Sequence, residues 1–337
     1  MRCDIIIPVW NQLALTKDCI DSIKRYTDDY RLILVDNASD GATKGYLESL
    51  RAGLGERALV INNEENLGFV KAVNQGIRAS GGPAVCIMNN DALVTKDWLK
   101  IMTDVLYMAG DIGIVNPSSN NLGQKPAEGE PIELYAEKLR GEAGKFVELG
   151  AAIGFCMLIK REVIDKIGVF DEIYGMGNFE DTDFSRRTVK EGYRCVRACG
   201  AYVYHRESSS FRKVATFEED FRRNREIYEF RWGRPKRIAY ILEPCDDNTL
   251  RRIHMGSLKS ARDGNWVWYF LKGGEGEFPL HSNIVSVKIP DKNFYLKAIF
   301  GIVKKKKKFD EIFVGNEKAA SVLRSLEFLH KAKVSCY

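Results

Sequence analysis

No stretch of this chain approaches the roughly 20 consecutive apolar residues of a membrane-spanning helix. Met1 runs straight into a strand pattern with no apolar leader before it. A helical span and a secretory signal are therefore not expected. Paired cysteines are lacking as well. The eight Cys residues are scattered through apparent strands and helices; only Cys195 and Cys199 lie close, and there is no Cys-x-x-Cys. The thiols read as reduced and the protein as cytoplasmic. Excess charge of one sign is small: 51 Lys and Arg against 46 Asp and Glu leave +5, too little to imply a nucleic-acid partner. G-x-x-x-x-G-K-S/T and G-x-G-x-x-G are both absent, which removes kinase and dehydrogenase readings. What remains is an ordinary globular composition, 45% hydrophobic and 29% charged over 337 residues, with room for two domains.

The chain is organised around Ala84–Asp91, Ala-Val-Cys-Ile-Met-Asn-Asn-Asp. A short apolar run after Gly81-Gly82-Pro83 reads as a strand buried on both faces, as in a parallel sheet. It ends in two amides and a carboxylate. Ligands bind beyond the carboxyl ends of such strands, and this donor set suits a hard divalent cation and its phosphates. The bland alternative is that Asp91 caps the helix starting near Lys96, but Thr95 is better placed for that.

The elements before it follow a β-α rhythm: strand Cys3–Val9, helix Thr16–Tyr26, strand Arg31–Val35, helix Thr43–Leu54, strand Ala58–Asn62, helix Val70–Ser80. Helices of about 10 to 12 residues between strands argue a parallel sheet with right-handed crossovers. Helix Trp98–Met108 and strand Ile112–Val115 come next, and Ser118–Lys145 reads as an irregular loop. Phe146–Lys160 is apolar but carries Gly150 and Gly154, a pattern that admits close approach to the backbone. A helix opens at Glu180-Asp181-Thr182-Asp183 after a Gly-rich loop, Gly175–Phe179. Its dipole favours first-turn acids, yet three exceed that need. Strand Ala201–His205 ends on a histidine, and Phe211–Arg237 is a long, basic, aromatic helical region of the kind that packs on a domain or docks at anionic lipid headgroups.

Gly233-Arg234-Pro235 marks a boundary between residues 1–235 and 236–337, after which strands and helices alternate again. This predicts a smaller α/β unit, with one helix over Glu317–Ala332 and a final strand. It reads as half of a nucleotide-binding fold, or the start of a further module. Lys304–Lys308 closes a predicted helix, where cations suit the dipole; a lipid- or polyanion-binding patch is the alternative reading of the run.

Six motifs stand in order over the first two thirds of the chain. They are Ile6-Ile7-Pro8-Val9-Trp10-Asn11, Val35-Asp36-Asn37-Ala38-Ser39-Asp40-Gly41, Asn66-Leu67-Gly68-Phe69 with Asn74-Gln75-Gly76-Ile77, Met88-Asn89-Asn90-Asp91, Gly168-Val169-Phe170-Asp171-Glu172, and Glu180-Asp181-Thr182-Asp183-Phe184-Ser185-Arg186-Arg187. In these, residues 1–235 resemble the family-2 glycosyltransferases, nucleotide-sugar-dependent enzymes of the GT-A fold. The pattern is similar to the bacterial rhamnosyltransferase-like members that build surface polysaccharides. Residues 236–337 match no known motif.

The resemblance implies a Rossmann-like, mainly parallel sheet and a set of roles. Pro8, Val9 and Asn11 would line the base pocket, with Asp36 bonded to the base. Asn66, Lys71 and Asn74 would face the diphosphate or sugar, with Asn90 and Asp91 beside them. Asp91 and His205 would hold a divalent cation, Mg2+ or Mn2+. Asp181 would be the catalytic base with Glu180 next to it, while Asp183 and Arg187 fix the helix start and Gly150 and Gly154 leave room for the acceptor. A UDP- or dTDP-linked sugar and a carbohydrate or lipid-linked glycan are the partners this implies. The family often has two acids where Asn89 and Asn90 stand. An amide is a weaker ligand, so the metal is expected to be loosely held unless His205 and the diphosphate complete its shell. A catalytically silent nucleotide-sugar-binding module is the alternative. A nucleotidyltransferase would need a Gly-rich basic loop where Pro8–Lys17 has none.

Overall fold

The computed structural model describes residues 3–206, 217–273 and 278–337. The chain divides into two compact units, Met1–Val147 with Ala151–Arg231, and Glu148–Gly150 with Trp232–Tyr337.

In the first unit the apolar runs become β1 (Cys3–Val9), β2 (Tyr30–Asp36), β3 (Ala58–Asn62) and β4 (Ala84–Met88), joined by α1 (Leu13–Tyr26), α2 (Gly41–Leu54) and α3 (Gly68–Ala79). These strands pair in parallel. Ile5, Ile6, Ile7 and Leu32 through Val35 are fully buried, as strands covered on both faces require. Helix α3 lies so close to β1 that a Cβ on Gly76 would stand 2.3 Å from an Ile6 methyl. That contact explains the glycine inside an otherwise ordinary helix.

The second half of the sheet adds β5 (Ala92–Val94), β6 (Ile112–Ser118), β7 (Phe146–Glu148), β8 (Cys156–Lys160) and β9 (Arg194–His205). The order is β3-β2-β1-β4-β8-β6-β9-β5, with β7 paired to β9. β8 runs antiparallel to β4 and β6, and β5 antiparallel to β9. The helices here are α4 (Trp98–Leu106), α5 (Ile132–Arg140), α6 (Arg161–Ile167), α7 (Glu180–Lys190) and α8 (Phe217–Trp232). Residues 211–216 of the basic helical stretch lie outside the described residues.

Several boundaries differ from the sequence reading. The strand from Ala84 stops at Met88, so Asn89–Asp91 form the turn into β5. The strand ending at His205 begins at Arg194 rather than Ala201. Helix α4 opens after Asp97 in the left-handed region, and Thr95 is no cap: its hydroxyl donates to the Tyr202 carbonyl. The expected loop at 118–145 contains a helix, α5. Pro131 precedes it, Glu133 lies in its first turn and Lys138 and Arg140 in its last, all favourable placements. Ala136 is its one buried residue, and Tyr135 packs edge-on to Tyr202 at 5.1 Å.

The second unit contains β10 (Arg237–Leu242), α9 (Asp247–Arg262), β11 (Trp266–Lys272), β12 (Ile284–Ile289), α10 (Phe294–Val303), β13 (Glu311–Val314), α11 (Glu317–Ser325), α12 (Glu327–His330) and β14 (Lys333–Cys336). Its five strands are all parallel in the order β12-β11-β10-β13-β14, the doubly wound arrangement that reverses between β10 and β13. The expected single helix over Glu317–Ala332 is two, broken at Leu326. Among the described residues no helix is long and apolar enough to cross a membrane.

Candidate active site

Because β1, β2 and β4 are parallel neighbours, the segments after them share one sheet edge. Those after β1 and β2 are stitched together. Val9 is a core residue whose carbonyl accepts the Asn37 N–H (2.8 Å). Asn11, at φ 56°, donates its N–H to Ser39 Oγ (2.8 Å) and accepts the Asp40 N–H at Oδ1 (2.7 Å). Asp36 is fully buried; Oδ1 accepts the Ser39 N–H at 3.0 Å, and Oδ2 has no partner. Asn63 ties this edge to α3, donating to Asn37 (2.8 Å) and exchanging bonds with Gln75 (2.9 and 2.8 Å).

After β4 the turn meets the end of β9. Asp91 Oδ1 lies 3.0 Å from His205 Nε2, and the Asn89 amide stands 3.3 Å from the same nitrogen. The imidazole stacks on Phe155 (5.0 Å between centroids). Asn120 holds the His205 backbone, its Nδ2 donating to the carbonyl and its Oδ1 accepting the N–H, both at 2.8 Å. Asn121 Nδ2 lies 3.1 Å from the other ring nitrogen, Nδ1, and its own Oδ1 is buried without a partner. With the proton on Nε2 the ring donates to Asp91 and accepts at Nδ1 from Asn121.

Helix α7 supplies the acids. Its entry is left-handed at both Asn178 (φ 74°) and Phe179 (φ 72°), uncommon for residues with a Cβ and rare for an aromatic one. The Gly-rich Gly175–Phe179 segment is tied down by Asn224 on α8, whose fully buried Nδ2 reaches the Tyr174, Gly177 and Asn178 carbonyls (2.8, 2.8 and 3.2 Å). Phe179 packs against Phe221 and Tyr228.

The three acids then diverge. Asp183 is fully buried between Arg187 Nε (2.9 Å) and Arg231 Nη1 (2.8 Å); Arg187 also caps the Ile167 and Val169 carbonyls. Asp181 accepts the Gly154 N–H at Oδ2 (3.0 Å) and the Thr182 N–H and hydroxyl at Oδ1 (2.6 and 3.1 Å). Burial pushes its carboxyl up, and those donors oppose the shift. Glu180 has an unpartnered Oε2; burial first and the Asp181 charge second push its carboxyl up to about 8. At neutral pH Glu180 therefore keeps its proton, while the three donors on Asp181 favour its charged form.

Asp91, His205, Glu180 and Asp181 line one cavity of about 560 Å³, together with Asn89, Asn121, Gly154 and an aromatic wall that includes Phe69, Phe155 and Phe179. The other expected residues lie outside it. Asn74 is fully buried, its amide bonded to the Phe170 backbone and Glu172, so it anchors a loop. Asn90 faces inward to Thr16 (2.9 Å), leaving Asn89 as the amide beside His205. Asn66 accepts the Gly68 N–H at the start of α3. Lys71 is exposed, near enough to Glu172 to lower its carboxyl, though Asn74 does so more. The Val9 side chain is core, and Pro8, Asn11 and Asp36 stay with the β1–β2 edge. Gly154 abuts Asp181, but Gly150 does not; a Cβ there would strike Asn283 at 2.3 Å. Asn120, Asn121 and Asn224 were missed by the sequence reading. Asn120 and Asn121 lie in an Asn-rich run, whereas Asn224 stands in an Arg-rich helix with no local signal.

Residues 4–168 match the family model described as Glycosyl transferase family 2. Among solved structures the chain is similar to GalNAc-T7 with UDP, GalNAc and Mn2+ (14% identity, TM-score 0.53, covering 68% of this chain and 50% of that one). It is similar also to the mannosyltransferase PcManGT from Pyrobaculum calidifontis in complex with GDP-Man and Mn2+ (15%, TM-score 0.52, 98% and 81%). A third is S. aureus TarS 1–349 in complex with UDP-GlcNAc (15%, TM-score 0.52, 69% and 66%). The chain thus spans half the length of the first. These likenesses establish the fold, the GT-A arrangement of a curled, mostly parallel sheet. No match was found among curated protein sequences.

Proposed function

Residues 4–168 make the N-terminal unit a member of glycosyl transferase family 2, and from that premise we propose that the protein is an inverting glycosyltransferase. It would move a sugar from a nucleoside diphosphate to an acceptor hydroxyl. Residues 1–235 form the transferase domain in this reading and 236–337 an accessory α/β domain. The observation that carries it is Asp181, held by Gly154 and Thr182, in the same cavity as the Asp91–His205 pair. A sugar hydroxyl must lose its proton as it attacks the anomeric carbon, and Asp181 takes that proton. Glu180, holding its own proton, leaves Asp181 as the single base. One base on one face gives inversion, without a nucleophilic carboxylate.

Asp91 and His205, with the Asn89 amide beside them, would be the residues to hold a Mg2+ or Mn2+ ion that arrives with a diphosphate. When bound, such a cation neutralises charge on the departing diphosphate. For His205 Nε2 to ligate such a cation through its lone pair, the ring proton must sit on Nδ1. Asn121 accommodates this by turning its amide, so that the unpartnered Oδ1 accepts from Nδ1–H.

The solved relatives holding UDP, UDP-GlcNAc or GDP-Man support a nucleoside diphosphate donor. The resemblance favours UDP or dTDP, with a carbohydrate or lipid-linked glycan acceptor in bacterial surface polysaccharide synthesis at the cytoplasmic side. Asp181→Asn should lower transfer by about 10²–10⁴-fold, with donor affinity by calorimetry unchanged. Unaltered turnover would remove Asp181 as the base. The single acid in Asn89-Asn90-Asp91 favours a second reading, the silent binding module. It predicts donor binding without transfer or hydrolysis for the wild-type chain under any divalent metal.

A further inference from the structure

Helix α10 buries Phe294, Ala298, Ile299 and Ile302, yet exposes Leu296 and Phe300, 69% and 66% accessible and four residues apart, with exposed Lys297 between them. It packs beside α12, where Phe328 and Leu329 are also exposed. Five consecutive lysines, Lys304–Lys308, follow α10, and all are exposed. They fold back on the helix end rather than leave it: Lys304 Nζ lies 5.8 Å over the Phe300 ring, and Lys308 Nζ donates to the Val303 carbonyl at 2.9 Å. Among the described residues none of the five forms an ion pair. Three of the four arginines of α8 differ, for Arg223, Arg225 and Arg231 face carboxylates. Residues 232–337 hold 20 Lys and Arg against 11 Asp and Glu, and residues 1–231 hold 31 against 35.

We propose that the α10 face, Leu296 and Phe300 with Lys304–Lys308, docks on the surface of an anionic lipid bilayer. Apolar side chains backed by lysines match the boundary between headgroup and acyl chain: the rings enter it, while the ammonium groups stay level with the lipid phosphates. A nucleic acid would use the lysines but leave Leu296 and Phe300 in water, so the combination selects the bilayer. The proposal does not rest on the transferase reading, because binding is measured without donor or acceptor.

The test is flotation of the full chain with phosphatidylcholine vesicles, with or without about 30% phosphatidylglycerol. The chain should partition onto anionic vesicles and not neutral ones, at least tenfold less at about 500 mM than about 50 mM salt. Replacing Lys304 through Lys308 together by Gln should weaken binding by a hundredfold or more, each lysine near a bilayer being worth about fivefold. Leu296→Ser with Phe300→Ser should weaken it about tenfold at unchanged salt dependence. All these side chains are exposed, and an unchanged far-UV spectrum checks the fold. No partition onto anionic vesicles, equal partition onto neutral ones, or binding to heparin but not vesicles would overturn the proposal. So would full binding by the Leu296/Phe300 variant, or its loss of self-association instead.

Discussion

The two units share an architecture of parallel strands and crossing helices, yet they place their charges oppositely. The first buries Asp4, Asp36, Glu180 and Asp183, and fixes buried Asn74, Asn116 and Asn224 between backbone groups. Among the described residues the second buries Glu148, Ser257, His281, Asn283 and His330, and the sequence of this unit carries a positive excess. A buried charge needs partners to exist at all. In the first unit Asp36 holds the turn after β2 and Asp183 holds the α7 entry, while Asp4 holds Gly81 and Gly82 at the opposite end of the sheet and Glu180 is kept neutral. An exposed lysine costs the fold almost nothing and remains available to something else. Internal charge shapes a site; external charge chooses company.

The contrast breaks if removing charge costs the same in both units. Asp183→Ala, which leaves Arg187 and Arg231 facing a void, should lower stability to urea by about 3 kcal/mol. Lys236→Ala, which removes an exposed 2.8 Å pair with Glu311 in the second unit, should cost under about 1 kcal/mol. Equal losses would end the comparison. A pH series sharpens it. The Glu180 carboxyl rises from 4.5 to about 8 on folding, so between those values the native state binds more protons than the unfolded one. Stability should fall as pH rises from about 4.5 to 8, by on the order of a few kcal/mol. Glu180→Gln should flatten that slope, and a slope that persists would assign it to another group. A further test lies at Asn121. Asn121→Leu removes both ends of the amide serving His205, and Mn2+ affinity in the presence of diphosphate should fall about 10-fold, toward the lower end for such supporting residues. Titration of Mn2+ by its paramagnetic signal reads this directly.

How far the sequence foretold the site depended on the range of each contact. The strands of the first half were legible because Val, Ile and Leu runs between short amphipathic helices leave few other choices. Asp91, Glu180 and Asp181 were legible because acids directly after a strand or in a helix's first turn exceed what capping needs. The antiparallel courses of β5 and β8 were not, since strand direction is set by partners more than 60 residues away and leaves no local trace. Asn74 illustrates the limit. Its motif was plain, but only the fold shows its amide filled by Phe170 and Glu172. Asn121 and Asn224 failed the other way: ordinary polar residues in sequence, they acquire roles only when β9 and the α7 entry reach them.

The position of β8 between β4 and β6 also bears on how the chain is made. β4 follows β1 early, and its outer edge stays unpaired until Lys160 has been synthesised. At roughly 5–20 residues per second, the intervening stretch of about 70 residues leaves that edge bare for some 4–14 seconds. The exposed strand is Ala-Val-Cys-Ile-Met, apolar and without a gatekeeping charge. A nascent chain with this edge bare is therefore expected to be prone to edge-to-edge association until β8 covers it.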